Sequence, residues 1–155
     1  MVFAADHEIL FDRLGDELRI APQPAPHLFA KIIGSACTRI HILSKSGKAA
    51  GIGRLVESEA WADAALTLIE LELPGWKLRR LIYEDTQWIC SLSRQPNLPH
   101  AFDDTADATH EVMPLAILLA FLQARRTTAA ASQSIAAVPS VETTPDGLIY
   151  CDNFA

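Results

Sequence analysis

Long apolar runs are missing from this chain. The longest, residues 112–122, holds eleven residues against the roughly 20 that a membrane-spanning helix requires. Cysteine is nearly absent too. Cys37, Cys90 and Cys151 are odd in number, widely spaced and in no C-x-x-C arrangement, which argues against a disulfide framework and a zinc site. Reduced thiols are the expectation. Residues 1–8 have no basic stretch followed by an apolar one, so no secretory leader is read there and a cytoplasmic location is expected. Positive charge is in deficit. With 13 Lys plus Arg against 19 Asp plus Glu, the net charge of −6 opposes non-specific attraction to nucleic acid or to anionic lipid.

What is present suits a folded protein. The 155 residues are 50% apolar and 21% charged, enough for one domain that buries roughly 68–70% of its unfolded surface without disulfide or metal support. The expected fold is an α+β domain over residues 1–126, with an antiparallel sheet built from two hairpins, about 38–57 and 77–94. Helices are expected at about 7–18, 58–73 and 105–126. In the first, Ile9, Leu10, Leu14 and Leu18 share a stripe and Asp6 is placed as N-cap. Pro22, Pro24 and Pro26 force an extended connector after it, and residues 27–36 are ambiguous, since Pro26 suits the first position of a helix while Gly34 weakens one. In the second hairpin, a turn at Asp85-Thr86 sets Tyr83 against Trp88 and Leu81 against Cys90 on one face, with Ile82 against Ile89 on the other. Ser58 is the expected N-cap of the middle helix. Residues 127–155 read as a flexible low-complexity tail, ending in the apolar patch Leu148, Ile149, Tyr150 and Phe154 behind a Pro145-Asp146-Gly147 turn.

Three constellations bear on chemistry. Between Leu18 and Val56 there is no acidic residue, while Arg19, Lys31, Arg39, Lys45, Lys48 and Arg54 are present. The centre of this basic sector, 44–54, is glycine-rich, so Lys45, Ser46, Lys48 and Arg54 form a candidate anion-binding loop. The P-loop pattern fails there, with Ile42 at its first glycine and Ala49 at its hydroxyl. The bland reading, a solvated loop with lysines guarding a strand edge, outweighs it. Asp103, Asp107, His110 and Glu111 would align on one face of an early-starting last helix, as a metal or acid-base cluster. They equally suit the negative first turn of that helix. Cys90 with His100 or His110 is the pairing to consider for nucleophilic catalysis, against an inert core thiol. No G-x-S-x-G elbow occurs, and no catalytic residue, metal or cofactor is assigned.

Residues 112–122 are apolar around the whole helix, so Leu115, Leu118, Leu119 and Leu122 are expected at an interface with a second copy. The favoured expectation is a non-enzymatic partner-binding or regulatory module that forms a homodimer and engages another protein. The alternatives are a domain or small enzyme for a phosphorylated ligand, using the 44–54 loop, and nucleic-acid binding through the basic sector 19–54. The element order and acidic charge are similar to those of type III secretion chaperones, small dimeric proteins that hold unfolded partner segments. That resemblance implies a binding function; no motif of the family is present.

Overall fold

In the computed structural model, which describes residues 2–43 and 47–136, helices α1 (Val2–Ile20), α2 (Pro26–Ala36), α3 (Arg39–Ile42), α4 (Gly47–Glu57) and α5 (Trp61–Glu72) precede the sheet. Strands β1 (Lys77–Glu84), β2 (Gln87–Ser93) and β3 (Thr105–His110) follow, and α6 (Met113–Ala136) closes the described chain. The class is α+β, with one antiparallel sheet in the order β1-β2-β3.

The β1–β2 hairpin forms as its alternation dictates. Tyr83 pairs with Trp88, Leu81 with Cys90 and Ile82 with Ile89 across an Asp85-Thr86 turn. Both turn residues have positive φ, 49° and 67°, as favoured two-residue hairpin turns require. A bulge between Leu78 and Arg80 shifts the register near the start of β1. On the inner face Leu81, Cys90 and Ala108 line up across the sheet, as do Tyr83, Trp88 and His110. Helix α6 packs on this face and is flanked by α1 and α5.

Several expectations are corrected. Residues 38–57 are not a hairpin but α3 and α4. Ile40 and Ile42 alternate over too few residues to choose a period, and tertiary contacts decide: Ile40 is buried and Ile42 is 80% exposed. In α4 the buried Ile52 anchors a helix that tolerates Gly51 and Gly53. The last helix does not begin at 105. Residues 105–110 form β3, whose inward positions are Ala106, Ala108 and His110, side chains too small or too polar to register as an apolar alternation. Helix α6 starts at Met113 with Pro114 in its first turn, where a missing N–H costs nothing.

The start of the expected tail is helical instead. Residues 127–136 continue α6 as helix, within which Thr127, Thr128 and Ser132 each turn their hydroxyl back to the carbonyl four residues earlier. The rest of that expected tail, 137–155, with the Leu148–Phe154 patch and Cys151, lies outside the described residues. Asp6 is inside α1 rather than capping it, since that helix starts at Val2. The buried stripe of α1 is Phe11, Leu14 and Leu18, rotated so that Ile9 is 53% exposed. Ser58 is not a cap for α5, whose N-cap is Ala60; its hydroxyl donates to the Leu55 carbonyl at the end of α4.

The core is continuous from Phe11 to Ala124 and centres on α6. Leu115, Leu118, Leu119 and Leu122 are 0, 0, 7 and 3% exposed. The sheet, α1 and α5 of the same chain cover them, so they offer no surface to a second copy. Among the described residues no helix is long and apolar enough to cross a membrane.

Candidate partner-binding cleft

Of the anion-loop residues, Lys45 and Ser46 lie outside the described residues, Lys48 is placed in α4 by its backbone alone, and Arg54 sits late in α4. Gly51 and Gly53 are helical, so their N–H groups serve the helix rather than a bound anion. Three cations of the basic sector are engaged within the fold. Arg19 pairs with Asp16 at 2.8 Å, Lys31 with Glu17 at 2.6 Å, and Arg39 Nε donates to the Leu71 carbonyl at 3.0 Å.

The acidic cluster is dispersed by the extended β3. Asp107 projects to the outer face beside Thr105, which donates to it at 3.1 Å. His110 is buried on the inner face, where its Nδ1 accepts the Val112 N–H at 2.8 Å. Asp103 stands before the strand. Among the described residues no group of three or more His, Cys, Asp or Glu is placed to hold a metal ion. Cys90 shares the inner face with His110 but is 0% exposed, and burial, with Asp107 adding to it, pushes its thiol up to about 12. Such a thiol carries almost no thiolate at neutral pH. Cys37 is withheld in the same way: burial, then the Glu72 carboxylate, drive its pKa above the ordinary thiol value, against a smaller opposing pull from Arg125.

The structure instead leaves a cleft where α5 meets β1. Leu66, Ile69 and Glu70 occupy one face of α5 at i, i+3 and i+4 spacing. Pro74 ends the helix and turns the chain back, which sets Trp76, Lys77 and Leu78 opposite that face. Between them lies a cleft of about 430 Å³ with an apolar floor, while exposed Glu70 and Lys77 carry opposite charges at its margin. Trp76 is contacted from two sides. Its indole N–H donates to Thr128 Oγ1 at 3.1 Å, and the Arg94 guanidinium stands 5.9 Å from its ring centroid.

The loop 94–104 beside this corner is tied down by Asp103. Its carboxylate accepts hydrogen bonds from Arg79 at 2.6 Å, from the Gln95 N–H at 2.8 Å and from the Ser93 hydroxyl. Burial pushes the Asp103 pKa up, but bonds from Ser93, Gln95 and Arg79, with the charge of Arg79, outweigh it and hold the group below the ordinary carboxylate range. Arg79 also reaches the Leu98 carbonyl at 3.5 Å. The anchored loop displays Phe102, which is 77% exposed. Strand β1, which begins at the cleft, is an outer strand and pairs with β2 alone among the described residues.

From the sequence, Leu66, Ile69, Trp76 and Leu78 look like core residues. The Pro74-Gly75 stop was the available signal that two apolar segments fold back on each other. No family model matches this chain, and neither a curated protein nor a solved structure does. The element order behind the likeness to type III secretion chaperones, helices alternating with hairpins, is not the one found.

Proposed function

We propose that this chain is a partner-binding module that takes an extended segment of another protein at the corner of α5 and β1. The observation that carries this reading is the cleft, lined by apolar residues with Glu70 and Lys77 at its margin, opening at the start of an outer strand. Such an edge offers backbone donors and acceptors to an added strand, and a cleft beside it selects a side chain. The cleft's volume falls within the roughly 300–1,000 Å³ usual for ligand pockets and suits a large aliphatic or aromatic residue. Lys77 and the exposed Arg80 on β1 favour a segment with acidic flanks; Arg79 is already paired with Asp103. Cys37 and Cys90, both buried free thiols, fit a reducing compartment such as the cytoplasm.

The homodimer is not needed for this reading, because the leucines meant to join two copies are enclosed in one. A displayed library of random peptides, panned against the full chain, tests the proposal. Peptides with a large apolar residue between acidic ones should be enriched, and Leu78→Glu, at a 42% exposed position, should abolish their recovery. Equal recovery on both chains would refute the reading.

A further inference from the structure

Strand β1 and its cleft suit an occupant that the chain itself carries. Residues 146–152 read Asp-Gly-Leu-Ile-Tyr-Cys-Asp, an apolar triplet between two acids, and no Lys or Arg occurs after Arg126. Opposite stand Lys77 and the exposed Arg80 on β1, the latter 3.9 Å from Glu84, and the apolar residues Leu66, Ile69, Trp76 and Leu78, while Arg79 is held by Asp103. We propose that Leu148, Ile149 and Tyr150 occupy the cleft and the outer edge of β1 of their own chain, as an internal competitor for the partner segment. The proposal rests on the reading of the cleft given above.

Reach permits it. The Trp76–Thr128 hydrogen bond places α6 against the cleft wall, and the eight residues from Thr128 to Ala136 carry the helix about 12 Å past that point. The eleven residues 137–147 span up to about 36–40 Å when extended, ample for the return. Tethering at this length gives an effective concentration of about 1 mM. A segment that binds in trans with a Kd of about 100 μM would then fill the site about ten times in eleven, and an added peptide would bind about tenfold more weakly than to an emptied site.

The test compares the full chain with a full-length variant carrying Leu148→Ser, Ile149→Ser and Tyr150→Ser. The probe is a labelled synthetic peptide of residues 144–155 with Cys151→Ser. The variant should bind it about tenfold more tightly than the unmodified chain, adding Leu78→Glu should abolish that binding, and both chains should sediment as monomers. Equal affinity for the two chains would overturn the internal contact and leave the cleft reading intact. So would failure of this peptide on both chains while library-selected peptides bind. If neither this peptide nor any selected one binds, both proposals fall. A difference that vanishes on dilution, with dimers in the sedimentation profile, would assign the segment to a second copy's cleft and overturn the proposal as stated.

Discussion

The backbone N–H of Ile40 donates to Glu72 Oε1 at 2.6 Å, across 32 residues of sequence. Thr38, the local N-cap of α3, makes no side-chain capping bond, so the last residue of α5 supplies the acceptor that the first turn of α3 lacks. Glu72 is 2% exposed, and its second oxygen has no partner among the described residues.

Removing that acceptor should therefore cost more than removing its charge. Glu72→Ala leaves the Ile40 N–H buried and unpaired, for an expected loss of about 1–3 kcal/mol in urea unfolding. Glu72→Gln keeps an oxygen for Ile40 and should cost less. Equal losses for the two would show that the charge, not the cap, is what matters at this position.

Gly51 and Gly53 lie within α4, and a Cβ added at either meets nothing within 4 Å. Neither backbone needs positive φ. Glycine in a helix interior costs roughly 0.5–1 kcal/mol relative to alanine. Gly51→Ala and Gly53→Ala should each stabilise the chain by about that amount, read as a raised midpoint in thermal unfolding. A lowered midpoint would show that the glycines serve a contact that α4 alone does not reveal.

What was legible in the sequence depended on how much apolar surface each element alternates. Strands β1 and β2 carry Leu81, Tyr83, Trp88 and Cys90 on one face, and their pairing and turn follow from that pattern to the residue. Strand β3 buries alanines, so its period was invisible and its acids read as a helix start. In the helical continuation through 127–136 the hydroxyls return to the helix's own carbonyls and Thr128 accepts the Trp76 indole N–H, neither of which composition records. The cleft was illegible for a different reason. Its lining residues are of core type, and only the fold shows that they face a gap rather than each other.

Asp103 predicts a pH dependence. Its folded-state pKa lies below the ordinary carboxylate value of about 3.9, so the charged form is favoured by folding. That contribution is complete above the unfolded pKa and is lost as the pH falls through about 3.9 toward the lower folded value. Asp103→Asn should lower the thermal midpoint at pH 6, and its gap from the unmodified chain should narrow as the pH drops below about 4. A gap independent of pH between 6 and 3 would show that the ionised form contributes nothing special.

The covered state of α6 separates two outcomes for a charge placed on it. Were Leu119 on a dimer surface, Leu119→Glu would release a folded monomer. At 7% exposure, and flanked by Leu118 at 0% and Phe121 at 0%, it instead sits where the sheet and neighbouring helices close over α6. A carboxylate there has no partner in view and must be desolvated, a cost that rivals the roughly 5–15 kcal/mol total stability of a small domain. Leu119→Glu should thus lose cooperative unfolding or raise the fraction unfolded sharply, seen by circular dichroism and urea titration. Leu118→Ala, which deletes apolar volume without adding charge, should remain folded and lose about 2–5 kcal/mol. A Leu119→Glu chain that kept its midpoint and sedimented as a smaller species than the unmodified protein would place that residue at an interface after all.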